Sequence, residues 1–239
     1  MENNNGCLIC GEDLVYRPDY RAVECYYCKG TFQSNVTCAR DHYVCDKCHA
    51  QSGIEQIETY CLNSKSVNPL EMATEIMQSD KIKMHGPEHH FLVPAVLIAA
   101  YCNKTNDHSK STKISIARKR AEKILGGFCG THGTCGAGVG TGIFISILTH
   151  STPLSKEEWG LSNLITGKSL ISIANHGGPR CCKRDVYLAI IEAIEFLKEK
   201  FKVTLDSSEV KCQFTKNNKE CLKSSCVFYP NIITNELPV

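Results

Sequence analysis

The sequence predicts a mainly α-helical protein in which a helical bundle forms the core domain. Three observations support this fold class. Apolar residues recur at helical spacing between residues 68 and 205, cysteines form Cys-x2-Cys pairs in the first 50 residues, and three more cysteines follow the last predicted helix. We therefore predict a metal-held module at 1–50, a linker at 51–67, a helical cysteine-rich domain at 68–205 and a cysteine-rich tail packed on that domain at 206–239.

Composition and charge narrow the class of protein. The 239 residues include 16 cysteines, and the net charge is +2 with both signs interspersed, which indicates neither a nucleic-acid nor a membrane partner. We find no signal-peptide pattern at the start and no run of about 18 apolar residues that would span a bilayer. Cysteines in such a chain are typical of metal ligands or redox thiols in a reducing compartment, so we expect a cytoplasmic protein.

The N-terminal module contains soft metal ligands and few large aliphatic residues. Because so small a segment cannot build a sufficient core, bound zinc would have to supply its folding energy, and we predict two zinc ions. The predicted ligands are Cys7, Cys10, Cys25, Cys28, Cys38, His42, Cys45 and Cys48.

The pairing of these ligands is open. Sequential sites would use the first four and the last four ligands, whereas interleaved sites would join Cys7 and Cys10 to Cys38 and His42; His49 is an alternative to His42. The spacing resembles zinc-ribbon or RING-like modules, although the histidine lies elsewhere than in RING domains. Closed zinc sites do no chemistry, so we expect this module to bind a protein partner.

The core domain begins after a connector that holds one helical turn near residues 54–60. Asn68 and Pro69 form an N-cap and first turn, and residues 91–101 are apolar all round, which predicts a central buried helix. Further helices are predicted at 69–79, 114–125, 153–159, 161–174 and 186–201.

Two glycine-rich turns carry the remaining candidate chemistry. The first, within residues 126–148, contains Cys129, His132 and Cys135 and runs into an apolar helix whose N-terminus would favour a thiolate at Cys135. The second, at 175–185, precedes the clearest amphipathic helix. We expect the two turns to meet and to form a catalytic or redox site that also includes His176, Arg180, Cys181 and Cys182.

Histidines and tail cysteines form a second set of candidate cofactor ligands. His85 and His89 lie at the start of the central helix, where they could bind a metal or move protons. Cys212, Cys221 and Cys226 predict a third metal site with a ligand from elsewhere, and their irregular spacing suits an iron–sulfur cluster at least as well as zinc.

Three motifs resemble an uncharacterised cysteine-rich domain family of prokaryotes: HGPEHHFLVPAVLIAAY, CGTHGTCGAGVGTGIF and GGPRCCKRD, together with the three tail cysteines. This resemblance covers nearly the whole chain and implies no particular activity. Residues 137–140, AGVG, are also similar to the Ala-x-x-Gly of the C-GCAxxG-C-C family, whose name refers to redox activity. Cys135 here precedes Gly136 and not the alanine.

These observations predict a metalloprotein that does redox or sulfur chemistry with activated thiols or an iron–sulfur cluster. One alternative is a zinc-stabilised adaptor without catalysis. Another is a zinc enzyme that uses His85, His89 and a nearby thiolate. The substrate and the oligomeric state are not readable from the sequence, and no phosphate-binding loop is present.

Overall fold

A computed structural model describes residues 6–230, in which a two-stranded hairpin precedes eight α-helices. This architecture confirms the predicted fold class. The strands are β1 (Leu14–Glu24) and β2 (Thr31–Cys38), and the helices are α1 (Asp46–Asn63), α2 (Pro69–Met77), α3 (Glu88–Thr105), α4 (Lys110–Ala121), α5 (Phe128–Thr131), α6 (Gly136–Leu148), α7 (Glu157–Asn175) and α8 (Cys182–Phe196). A π-helical turn (Leu197–Phe201) and two 3-10 turns (Thr215–Asn217 and Lys223–Ser225) follow.

Helix α3 is the centre of the bundle. It contacts α1, α2, α4, α6 and α8, and nearly every side chain between residues 91 and 102 is buried. A helix that is apolar on all sides is stable only where neighbouring elements bury every face. The predicted central helix is therefore confirmed, and so is the α2 start, where the Asn68 side chain accepts hydrogen bonds from the N–H groups of Leu70 and Glu71.

The glycines of α6 allow that helix to approach α3 closely. A Cβ atom at Gly140 would lie 2.9 Å from Cδ of Pro94 and 3.1 Å from Cβ of Val93, both rigid parts of α3. A side chain there would push the two helices apart. The glycine-rich sequence of α6 thus places the start of this helix firmly against the core.

Helix α1 replaces most of the predicted connector. The sequence suggested one helical turn near residues 54–60, but the helix is continuous from Asp46 to Asn63 and buries Ile54, Ile57 and Cys61 in the core. These three positions lie on one face of the helix. Their helical spacing was not recognised in the sequence because the preceding segment is dominated by cysteines. Since α1 begins directly after Cys45, the N-terminal module joins the bundle through a rigid helix.

The hairpin between the N-terminal ligands was not predicted. Its antiparallel register pairs Leu14 with Cys38 and Glu24 with Thr31, with an irregularity between Tyr16 and Arg21. Pro18 lies in this irregular part, where a missing N–H is tolerated.

The tail packs on the bundle over its described part, and residues 231–239 of the predicted tail lie outside the described residues. Phe214 and Phe228 are buried, and the N–H of Cys212 donates to the carbonyl of Phe228 at 2.8 Å. Within residues 6–230, no helix is both long and apolar enough to cross a bilayer.

Candidate metal centres and thiol sites

Two compact groups in the N-terminal module could each hold a metal ion. One consists of Cys7, Cys10, Cys38 and His42, and the other of Cys25, Cys28, Cys45 and Cys48; in each group the four ligand atoms lie within 4.8 Å of one another. The pairing is interleaved, and His42, not His49, completes the first group. The Sγ atoms of Cys10 and Cys38 are 3.8 Å apart, as are those of Cys28 and Cys45. Tetrahedral coordination at about 2.3 Å gives nearly this spacing.

The hairpin explains why the ligands interleave. Antiparallel pairing brings Cys38, at the end of β2, back beside the start of β1, next to the Cys7–Cys10 loop. The second group forms at the other end of the hairpin, where Cys25 and Cys28 meet the first turn of α1. Two strands of fixed register therefore decide the pairing that the ligand spacing left open.

Backbone N–H groups surround the sulfurs of these groups. Those of Ile9 and Arg40 donate to Sγ of Cys7 and Cys38 at 3.4 and 3.3 Å. Burial raises the pKa of Cys25, but backbone N–H donors, with that of Cys45 foremost, outweigh it and lower the pKa to about 6. Such donors favour the thiolate form, which is the form that binds metal.

The first glycine turn also contacts the metal module. The N–H of Gly126 donates to Oδ2 of Asp46 at 2.8 Å, and Asp46 is the first residue of α1, directly after Cys45. Tyr16 of β1 lies close enough to Arg180 to interact with it electrostatically. The two N-terminal metal groups are therefore held beside both glycine turns.

The two glycine turns meet at Asp185. Cys135 is the N-cap residue of α6, and its Sγ lies 3.7 Å from Oδ2 of Asp185 in the first turn of α8. The other oxygen of Asp185 lies 3.4 Å from Nε of Arg184, and both side chains are buried. The starts of α6 and α8 thus occupy the same end of the bundle.

The surroundings of Cys135 oppose the activation that its place at a helix start predicts. Burial, and after it the Asp185 carboxylate, raise the pKa of this thiol to about 12, although the N–H groups of Ala137 and Gly138 partly oppose them. Loss of hydration and a neighbouring negative charge outweigh the helix terminus. The surroundings of Cys135 therefore favour the protonated thiol over the thiolate.

The other residues of the predicted junction are only partly brought together. Cys182 interacts electrostatically with Arg180 and Cys135, and Arg180 also hydrogen-bonds Cys129. His132 is exposed beside Thr131, and the Nδ1 of His176 bonds the carbonyl of Ser172 at 2.8 Å. Within residues 6–230, no three of the junction side chains reach the spacing of a single-ion site.

Cys181 lies on a different side of α8 from its neighbour Cys182. It lines a pocket with Cys212, Cys221 and Cys226 from the tail, so a cysteine of the second glycine turn lies with the three tail cysteines. The sequence had assigned Cys181 to the junction of the turns. The 100° rotation between adjacent helical residues separates the two cysteines, but the return of the tail to that face is a long-range contact that no local pattern contains.

The histidines at the start of α3 do not gather a metal site. His85 faces Glu220 of the tail at 3.5 Å, whereas His89 is buried with Nδ1 bonded to the carbonyl of Gly86 at 3.0 Å. Burial lowers the pKa of both imidazoles. Neither residue belongs to a single-ion group in the part of the chain that the structure describes.

A buried lysine and a buried glutamate near the start of α3 were not predicted. Nζ of Lys183 is bonded to the carbonyls of Met77 and Ile82, and it lies near the buried carboxyl group of Glu88. Burial raises the pKa of Glu88 to about 7. In the sequence, Lys183 follows the two cysteines and gives no sign that α8 turns it inward.

Comparison with known families gives one match, over residues 57–229, to DUF5714, a family of unknown function. The chain belongs to the DUF5714 family. This confirms the predicted membership of an uncharacterised family, while similarity to the C-GCAxxG-C-C family stays a prediction. No curated protein and no solved structure matches the chain significantly. The DUF5714 match contains both glycine turns and the four-cysteine pocket, and the two N-terminal metal groups precede it.

Proposed function

We propose that this protein is a redox metalloprotein in which two zinc ions fold the N-terminal module and the helical region carries an iron–sulfur cofactor. The observation that carries this proposal is the convergence of cysteines on the start of α8. Cys181 faces three tail cysteines there, and Cys182 faces the first glycine turn. Iron–sulfur clusters are held by cysteine thiolates, and the cysteines around this helix start supply that type of ligand.

Zinc suits the N-terminal groups because both donor sets are complete. Three thiolates with one imidazole, and four thiolates, are the common ligand sets of structural zinc, and neither leaves an open position for a substrate. We therefore assign these ions a structural role. Free cysteines throughout the chain fit a reducing compartment, so we place the protein in the cytoplasm.

Metal-bound sulfur fits the helical region better than a reactive free thiol. The raised pKa of Cys135 leaves that side chain protonated at neutral pH and weakly nucleophilic. Bound iron needs no intrinsically acidic thiol, because the metal itself displaces the proton. Electron transfer by a cluster is accordingly the chemistry that we favour, and sulfur transfer by an activated cysteine is the weaker variant.

A zinc-stabilised adaptor is the second candidate function, and one observation favours it. The N-terminal module exposes aromatic side chains on β1 and in the turn that joins β1 to β2, including Tyr16, Tyr20, Tyr26 and Tyr27. Tyrosine is enriched in protein–protein interfaces, so this surface fits a protein partner. Such a partner is compatible with the redox proposal, whereas a purely adaptor role would leave the protein with zinc alone.

Metal and sulfide content separates these candidates. Full-length protein purified without oxygen should be brown and should contain iron and acid-labile sulfide in equal amounts, beside about two zinc ions per chain. Elemental analysis by mass spectrometry with a colorimetric sulfide assay measures all three. Colourless protein that holds zinc alone would support the adaptor and contradict the redox proposal.

A further inference from the structure

We propose that the pocket between the start of α8 and the tail binds a [4Fe–4S] cluster through Cys181, Cys212, Cys221 and Cys226. This inference rests on the proposed redox function and assigns its cofactor to one of two neighbouring groups of cysteines.

The fold brings these four sulfurs to one pocket from segments far apart in sequence. Cys181 is the N-cap residue of α8, while the others come from the tail. Apolar side chains form much of the remaining wall: Met84, Tyr187, Phe214, Leu222 and Phe228. A hydrophobic shell of this kind limits the access of water to a cluster and helps to set its potential.

Hydrogen bonding to the sulfurs repeats the pattern of the N-terminal metal groups. There, the N–H two residues after Cys7 and after Cys38 donates to each sulfur at 3.4 and 3.3 Å. In the tail, the N–H groups of Phe214 and Lys223 donate to Sγ of Cys212 and Cys221, both at 3.4 Å and both two residues after the cysteine. This turn stabilises a sulfur that carries negative charge, as a metal-bound thiolate does.

Cys181 receives a donor as well. The Nδ2 of Asn218 lies 3.6 Å from its Sγ, and Oδ1 of the same amide accepts the N–H of Glu220. The amide is therefore fixed with its donor end towards the sulfur. A side chain from the tail thus supports the one candidate ligand that comes from the bundle.

The spacing of the four cysteines favours a cluster over a single ion. In the N-terminal groups all four ligand atoms lie within 4.8 Å of one another. Among the described residues, no three of the pocket cysteines meet that spacing. Four thiolates on one zinc ion must be about 3.8 Å apart because each bond is about 2.3 Å long. In a [4Fe–4S] cluster each thiolate binds its own iron atom, so the sulfurs lie farther apart.

The number of cysteines favours the tail pocket over the junction of the glycine turns. Four cysteines line the pocket, together with Arg184 and Glu220, and Lys183 interacts electrostatically with Cys181 and Cys212. Across the helix, the junction has the three thiols of Cys129, Cys135 and Cys182, beside Arg180 and the buried Asp185 carboxylate. A [4Fe–4S] cluster with four cysteine ligands therefore fits the pocket better than the junction.

Single cysteine variants of the full-length protein test the assignment. Cys181→Ala is expected to lose iron, labile sulfide and the visible absorption, and Cys181→Ser is expected to retain a cluster with an altered electron paramagnetic resonance (EPR) spectrum. Cys182→Ala, its neighbour on α8, is the matched control and should keep the iron content of the wild type. Circular dichroism and zinc content establish that each variant is folded.

Asn218→Ala gives a readout that a purely structural role would not move. A hydrogen bond to a ligating sulfur stabilises the reduced, more negative state of a cluster. Without the Asn218 amide the cluster should remain, and its midpoint potential should shift to a lower value. An unchanged potential would contradict the placement of Cys181 as a ligand.

The possible outcomes distinguish the inference from the function on which it rests. If Cys181→Ala keeps the cluster and Cys182→Ala loses it, the cluster lies at the glycine turns: the redox function stands and the pocket assignment is overturned. If the wild type holds a third zinc ion and no iron, both are overturned.

Discussion

Leu97→Asp is expected to prevent the protein from folding. Leu97 is fully buried in α3, the helix on which most of the bundle packs, and the new carboxylate would have no partner there. Burying such a group costs more than about 4 kcal/mol, out of a total stability on the order of 5–15 kcal/mol for a typical domain. Soluble yield and the thermal unfolding transition measured by circular dichroism would show the loss.

Ile116→Asp is the matched control for that variant. Ile116 lies on α4 and is 37% exposed, so an aspartate at this position can keep its carboxylate in water. Its unfolding free energy should change by less than about 1 kcal/mol. A folded Leu97→Asp variant with a similar stability would mean that α3 is not the centre of a packed core.

Removal of one N-terminal ligand should have the second largest effect. In Cys25→Ser, the second metal group loses a fully buried sulfur that also accepts the N–H of Cys45 at 3.3 Å. Because both metal groups share the hairpin, we expect loss of one zinc ion and weaker binding of the other. Structural zinc supplies on the order of 10 kcal/mol of folding free energy, so the hairpin should unfold.

The helical bundle should survive this change, since α1 is held by Ile54 and Ile57 in the core. Limited proteolysis of the full chain should therefore cut the variant before α1 and leave the rest intact, and a zinc chelator should give the same fragments from the wild type. Cys61→Ala, which alters a buried cysteine outside both groups, should retain both ions. A hairpin that resists protease after all zinc is removed would disprove the zinc-dependent fold of residues 1–50.

Local patterns were sufficient for the centre of this fold and for its N-terminal ligands. A few neighbouring residues are enough to predict three features: the buried helix α3 from its apolar run, the start of α2 from Asn68 and Pro69, and the metal groups from the Cys-x2-Cys pairs. The hairpin and most of α1 were missed because the ligands dominate their sequences and obscure the periods of 2 and 3.6 residues.

The two thiol sites show where local reasoning fails. The place of Cys135 at a helix N-terminus predicted an acidic thiol, but burial and the carboxylate of Asp185, fifty residues later, raise its pKa. Cys181 looked like a partner of Cys182, and only the path of the tail shows that it faces Cys212, Cys221 and Cys226. Both differences concern groups that meet through tertiary packing.

EPR spectroscopy of the reduced full-length protein tests the central claim most directly. The protein, purified without oxygen, should be silent as isolated; dithionite, a one-electron donor, should reduce the [4Fe–4S] cluster from the 2+ to the 1+ state and produce a signal that integrates to about one spin per chain. Cys181→Ala should lack the signal, and Cys182→Ala should keep it. A wild-type protein that contains two zinc ions, no iron and no signal after reduction would contradict the redox proposal.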